Sequence, residues 1–422
     1  MALNKTLGNL FKGDKVIWMI FFFLCIISAV EVFSASSSLT YKGGSYLAPI
    51  IKHLGILFLG VLFMVFTVNI PCRYFKVLTP FLFVFSFFTL IWVYFGGQST
   101  NGAQRWVSLL GIQFQPSEIG KGTLVLAVAQ ILSATQTENG ADRKALKWIG
   151  IACALIIVPI LLENLSTGLL LAVVIYMMMI LGRVPVSQLG KILGVAVLIV
   201  AAALSFVLIF GHTKPTNTPE QTLTENVAAS EKDEPGLLGS LFHRADTWKS
   251  RINKFMKNEE VPPEKFDLDK DAQVGHANIA IASSNVIGQG PGNSVQRDFL
   301  SQAFSDFIYA VIIEEMGIIG AVAVALLYVF LLFRTGKIAN RCENNFPAFL
   351  AMGLALLLVT QALFNMCVAV GLAPVTGQPL PLISKGGTST IINCVFMGAI
   401  ISVSRTAKRV EKQTKSGVPE KK

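Results

Sequence analysis

The sequence predicts an all-α polytopic membrane protein of about ten transmembrane helices, both termini cytoplasmic, with one large extracytoplasmic loop between helices 7 and 8. Three observations carry this. Apolar residues make up 53% of the 422 residues and charged residues 14%, with a mean hydropathy of +0.61, beyond the range of a water-soluble domain. Mostly apolar segments of roughly 20 residues, long enough to cross a bilayer as helices, recur at 16–35, 47–70, 76–95, 118–135, 147–163, 166–182, 190–211, 306–333, 347–371 and 387–404. Lys and Arg accumulate in alternate short loops, which fixes one orientation. No run of about ten residues alternates with period two, which argues against a transmembrane barrel.

Taken in order, Lys5, Lys12 and Lys15 precede an apolar run too long for a secretory signal, so residues 1–15 read as a cytoplasmic tail before an uncleaved anchor. Arg73 and Lys76, then Arg143, Lys144 and Lys147, then Arg183 and Lys191, then Arg334, Lys337 and Arg341 all fall on the side of that tail. So does the basic tail 405–422, which leaves 16–404 as the membrane domain. The net charge of +10 is therefore a topology signal and an attraction to anionic lipid headgroups, and it calls for no nucleic-acid partner. Cys25, Cys72, Cys153, Cys342, Cys367 and Cys394 lie in spans or at cytoplasmic ends without CxxC spacing, and the four histidines are scattered, so neither a disulfide nor a protein-built metal site is expected.

The loop 212–305 breaks the pattern, with ten Lys/Arg against thirteen Asp/Glu. A connection this long is functional or disordered. Residues 212–236 are rich in Thr, Glu and Pro and read as flexible. Residues 237–257 place Leu241, Phe242, Trp248, Ile252 and Phe255 at helical spacing, as in a helix lying on the membrane surface.

Three outer-face segments hold more polar residues and glycines than connections require. In NGAQRWVSLLGIQFQPSEIGKG, from Asn101, Glu118 and Lys121 are three apart and share a helix face. They are either a first-turn acid with an incidental ion pair or a functional pair facing a cavity. Arg105 and Trp106 just before read as an interfacial anchor, or as a guanidinium that grips a pyrophosphate. In the segment from Ala272 to Gly317, Gly288, Gly290 and Gly292 read as tight backbone turning, since no strand precedes them to make a dinucleotide loop. Asp306 stands at the mouth of the eighth span, either as a helix cap or, if Ser305 caps, available for chemistry. Glu314 and Glu315 lie two turns deeper and point in different directions, so one of them pairs internally. The third segment, GLAPVTGQPLPLISKGGTST, is irregular backbone at membrane depth, which survives only inside protein or around a water-filled cavity. It reads as one wall of a site open to the outer leaflet.

These segments, in this order, resemble the SEDS family of membrane proteins that shape and divide the bacterial wall. The resemblance covers nearly all the chain and rests on NGAQRW with QPSEIGK, GQGPGNS leading to SDFIYAVIIEEMG, and GLAPVTGQPLPLISKGGTS. Within the family the chain is more similar to the branch acting in cell division, from its GNSVQR stretch and the long acidic insertion before it.

The resemblance implies a peptidoglycan glycosyltransferase that polymerises lipid II in the bacterial cytoplasmic membrane, at the septum. Asp306 would be the general base on the acceptor 4-hydroxyl, and undecaprenyl pyrophosphate would leave with inversion. Lys121, held by Glu118, and Arg105 would meet the departing charge, with Trp106 beside them. Gln273, Ser384, Lys385 and Thr388 would be sugar or phosphate contacts. No cofactor is required, and a divalent cation such as Mg or Mn at the pyrophosphate is the one addition left open. Implied partners are a class B penicillin-binding transpeptidase (FtsI-like) and other divisome proteins. Two departures from the family pattern stand out. Glu163 and Asn164 replace a Pro-Asp pair, so no carboxylate role passes to Asn164, and Lys385 replaces a tyrosine, adding a cation or a snorkelling side chain. Two rival classes remain. A flippase would place ionisable groups near the midplane, and Glu314, Glu315, Lys52 and His53 do lie within spans. A non-catalytic scaffold would need no acid at Asp306.

Overall fold

The structure, a computed structural model, describes residues 12–36, 47–96, 98–100, 103–109, 112–210, 272–300 and 305–416. The stretches 212–236 and 237–257 lie outside the described residues. Every predicted span coincides with a helix: α1 (Lys15–Ser36), α2 (Leu47–Asn69), α3 (Cys72–Gly96), α4 (Pro116–Ala134), α5 (Lys144–Glu163), α6 (Leu165–Leu181), α7 (Val186–Phe210), α9 (Ile308–Ala339), α10 (Asn345–Ala369) and α11 (Thr388–Ser416). A short α8 (Ala272–Ser283) is added before the eighth span. Among the described residues seven of these helices are long and apolar enough to cross a bilayer, while α6 and the Val186–Leu198 part of α7 are shorter apolar helices. The chain is a multi-pass membrane protein.

Burial orders the bundle. The apolar lengths of α10 and α11 are 72% buried and that of α3 only 22%, so the first two form the middle while α3 turns Phe81, Phe88, Trp92 and Phe95 outward. Such a surface suits lipid, because a helix satisfies its own backbone hydrogen bonds. The central α10 packs against α4, α6, α9 and α11. Gly60 and Gly398 let α2 and α11 approach so closely that added Cβ atoms would meet Cys394 Sγ at 2.7 Å and Met64 O at 2.8 Å, the small-residue packing expected where lipid supplies no hydrophobic drive.

Two features depart from an all-helical reading. Residues 98–114 form a three-stranded antiparallel sheet of β1 (Gln98–Thr100), β2 (Ala103–Leu109) and β3 (Ile112–Phe114), with Trp106 opposite Gln98 and Val107 opposite Phe114. A small hairpin, β4 (Gln136–Thr137) and β5 (Gly140–Ala141), precedes α5. Strands of two to seven residues are too short to leave a period-two signal. α11 continues past residue 404 to Ser416, so the start of the basic tail is helical.

At the other end of the bundle from the sheet, Asp14 joins three elements. Its Oδ1 accepts from the amides of Val16 and Ile17 at 2.9 and 3.3 Å, which caps α1. Arg334 of α9 donates to the same carboxylate at 3.1, 3.1 and 2.7 Å, and Asp14 N donates to Ser404 Oγ of α11 at 2.9 Å. Burial opposes ionisation of Asp14, but the Arg334 hydrogen bond and charge, with the two amides, outweigh it and hold the carboxyl below its usual range. A carboxyl depressed in the folded state contributes stability above the unfolded value of about 3.9, and loses it as pH falls through the folded value. Asp14→Asn should therefore cost about 1–3 kcal/mol at neutral pH, with the gap to wild type closing below pH ~4. Thermal unfolding in detergent at stepped pH measures this, and equal stability at neutral pH would refute it.

Candidate active site

The loop of residues 370–387, between α10 and α11, carries few backbone hydrogen bonds of its own, and its carbonyls are satisfied by side chains from several helices. Gln361 Nε2 donates to Pro379 O at 3.1 Å, Asn365 Nδ2 to Gln378 O at 2.7 Å, Tyr328 Oη to Pro381 O, and Ser28 Oγ to Ile383 O at 2.7 Å. Gln378 Nε2 donates to Thr167 Oγ1 at 2.6 Å, tying the loop to α6. This accounting is what irregular backbone at membrane depth requires. Ser28 has one hydroxyl hydrogen and gives it to Ile383, so His53, whose Nε2 lies 3.0 Å from Ser28 Oγ, donates from that nitrogen. Leu382 is held at φ 66°, a conformation costing roughly 1–2 kcal/mol for a non-glycine residue, which the bonds on either side of it enforce.

Asp306 stands against this wall. Neither Asp306 nor Ser305 caps α9: the helix starts at Ile308, Phe307 occupies the N-cap position, and no side chain caps it. Ser305 Oγ donates instead to Asp306 Oδ1 at 2.9 Å. The backbone is pinned on both sides, since Asn365 Nδ2 donates to Asp306 O at 2.9 Å and Ser384 Oγ to Ser305 O at 2.6 Å. Asp306 is half-buried at the helix mouth, so a fixed backbone presents a partly exposed carboxylate. Ser384 also accepts from Leu380 N at 2.7 Å and is buried. It holds the residue beside Asp306.

Lys121 is likewise held by its neighbours. Its ammonium donates to Glu118 Oε1 at 2.8 Å and to Gln361 Oε1 at 2.9 Å, and the side chain is 1% exposed. The pair forms as the spacing predicts, and it faces α10 inside the bundle. Next to it, Ser117 Oγ donates to Glu163 Oε1 at 3.3 Å. Asn164 caps α6 through the amides of Ser166 and Thr167, the work its residue type suits best.

The glycine-rich loop is explained by the two glutamates that sequence reasoning placed only by direction. Both are fully buried. Glu314 accepts from the amides of Val295 and Gln296 at 3.0 and 3.4 Å and from the Ser294 hydroxyl at 2.5 Å. Glu315 accepts from Gly292 N at 2.9 Å, Ser294 N at 3.3 Å and the Ser34 hydroxyl, with Arg297 Nη1 at 3.8 Å. The loop thus wraps two carboxylates of this same chain, with Gly288, Gly290 and Gly292 all at positive φ as tight turning predicts. The signal was the acidic pair in an apolar helix twenty residues after a glycine run; what hid it was the lack of any local rule joining them.

That wrap needs a break in α9. Gly317 sits at φ 68°, ψ −171°, and a Cβ there would lie 2.4 Å from Val286 O and 2.5 Å from Gly288 N. Gly317→Ala should destabilise the fold by at least about 1–3 kcal/mol, because both the backbone conformation and the crossing chain reject a side chain. A thermal melt equal to wild type would show that the crossing yields.

The remaining candidates lie on several elements. Arg105 and Trp106 lie on β2, and Trp106 is half-buried; the Arg105 side chain falls outside the described residues. Gln273 lies on α8, half-buried, and Thr388 begins α11 with its hydroxyl buried. Lys385 is half-buried in the wall loop, and burial followed by the charge of Lys52 lowers its pKa. Among the described residues no group of three or more His, Cys, Asp or Glu side chains is placed to hold a metal.

A family model described as "Cell cycle protein" (FTSW_RODA_SPOVE) matches residues 14–409. The peptidoglycan glycosyltransferase MrdB of Escherichia coli K12 is 28% identical over 415 residues, covering 97% of this chain and 98% of the relative. The probable peptidoglycan glycosyltransferase FtsW of Coxiella burnetii is 29% identical over 396 residues, covering 92% and 95%. Among solved structures, a chain from a peptidoglycan synthase complex that coordinates polymerization and crosslinking superposes with a TM-score of 0.66 at 22% identity, covering 94% and 98%. The rod shape determining protein RodA of Thermus thermophilus gives 0.61 at 21%, with the same coverage.

Proposed function

This chain belongs to the FtsW, RodA and SpoVE family of cell cycle proteins, and we propose from that premise that, as a peptidoglycan glycosyltransferase, it polymerises lipid II with Asp306 as general base. The observation that carries the base assignment is the pinned backbone of Ser305 and Asp306, which leaves the carboxylate at the mouth while a serine hydroxyl orients one of its oxygens. In the reaction Asp306 takes the proton from the acceptor 4-hydroxyl as that oxygen bonds to the donor's anomeric carbon. The bond from that carbon to the phosphate oxygen breaks, and undecaprenyl pyrophosphate leaves from the opposite face. Arg105 and Lys385 are the cations proposed to meet it, Trp106, Gln273 and Thr388 line the approach, and Lys121 with Glu118 supports the wall from behind.

Glu314 and Glu315 are spent on the loop 292–296, which weighs against the flippase alternative, while Lys52 and His53 still lie within a span. For the cellular role we propose septal synthesis, supported by the GNSVQR stretch and the long insertion before it, with a class B penicillin-binding protein as partner. The test is glycan formation from purified lipid II by the full chain with its cognate transpeptidase, paired with depletion in the cell. Polymer with filamentous cells supports the whole proposal; polymer with rounded cells moves the role to elongation; no polymer removes the glycosyltransferase reading.

A further inference from the structure

We propose that Asn365 and Gln361, one turn apart on α10, are positioning residues that set the Asp306 backbone and the Lys121 ammonium in one frame through the loop 370–387. The inference rests on the reading of Asp306 as the base. Residues four apart share a helix face, and both side chains are 1% exposed, so neither is available to substrate. Asn365 Nδ2 has two hydrogens, and they go to two carbonyls from different parts of the chain, Asp306 O at 2.9 Å and Gln378 O at 2.7 Å. Those acceptors dictate the amide's orientation, since the flipped form would set Oδ1 against two carbonyl oxygens.

Gln361 is used at both ends: its carbonyl accepts from Lys121 at 2.9 Å and its amide donates to Pro379 O at 3.1 Å. The result is one connected path, Glu118 to Lys121 to Gln361 to the Gln378 and Pro379 carbonyls to Asn365 to Asp306. It begins on α4, crosses α10 and ends at the mouth of α9. Burial makes each link costly to leave unmade, so the path holds the residue before α9 more tightly than an uncapped helix start would.

The test uses Asn365→Asp, which keeps the side-chain shape and removes both donated hydrogens, and Gln361→Glu, which keeps the acceptor for Lys121 and removes the donor to Pro379. Each is purified as full chain with its transpeptidase, beside wild type and Asp306→Ala, and kcat and KM for lipid II are measured on protein whose thermal unfolding matches wild type. Misplacing a catalytic group by about 1 Å costs on the order of 10²-fold, so kcat of Asn365→Asp should fall about 10²-fold with KM unchanged. Gln361→Glu should fall in the same parameter by less. If Asn365→Asp does not fold, Asn365→Ala, which admits water between the two carbonyls, carries the same expectation. Wild-type kcat in the Asn365 variant while Asp306→Ala is dead overturns the inference alone, as does a loss confined to KM. Full polymerisation by Asp306→Ala overturns the base reading, and the inference with it.

Discussion

Asp306→Ala should make about 10²- to 10⁴-fold less glycan per unit time than wild type from the same lipid II, the range over which a positioned general base accelerates proton removal. The comparison is informative because the helix start does not depend on this side chain as a cap. Phe307 holds the N-cap position without a side-chain cap, and Asn365 grips the Asp306 carbonyl, which alanine retains. Rates are compared on folded protein, and the loss should lie in kcat. Asp306→Asn, which keeps the shape and the acceptor for Ser305 but cannot take a proton, should be equally inactive. Polymer from Asp306→Asn at the wild-type rate would leave the Ser305 hydrogen bond as the function of this residue and send the search for a base elsewhere.

The second large effect falls on stability. Lys121→Ala should cost about 3–5 kcal/mol, because it strands the Glu118 carboxylate inside the bundle, where removing one partner of a buried pair leaves an uncompensated charge. Glu118 Oε2 already lacks a hydrogen-bond partner among the described residues, so no second donor is at hand. The double replacement Lys121→Met with Glu118→Gln should recover most of the loss, since a neutral pair owes no desolvation of ions. Thermal unfolding of the single and double variants decides this. A single variant as stable as wild type would mean that water or a rearranged Gln361 reaches Glu118, and the wall would then owe little to this pair.

Much of this molecule is written locally, and those parts were legible. Each span is a mostly apolar run, so a helix at each of the ten places follows from length and hydropathy. Glu118 and Lys121 are three apart, so their pairing follows from helix geometry. The parts that escaped depend on partners far along the chain. Nothing within twenty residues of Ser384 announces that its hydroxyl will hold Ser305, and Gln361 and Asn365 look like incidental polar residues in an apolar helix until the loop is seen against them. The Gly288 to Gly292 turns were legible as turns but not as the wrapping of Glu314 and Glu315, because the break at Gly317 that admits them has no signature beyond one glycine. The sheet at 98–114 was lost for another reason, since three short strands carry too few residues to show a period.

The wall beside Asp306 also fixes when in the life of the chain it can exist. Ser28 waits 355 residues for the Ile383 carbonyl, and Asp14 waits 390 for Ser404, so the first helix enters the bilayer with polar groups whose partners are not yet synthesised. Contacts of such sequence separation close last, after the loops between them have formed. On the proposal that Asp306 is the base, a nascent or truncated chain carries it in a helix mouth with no wall behind it, so a chain lacking the last helix should form no glycan.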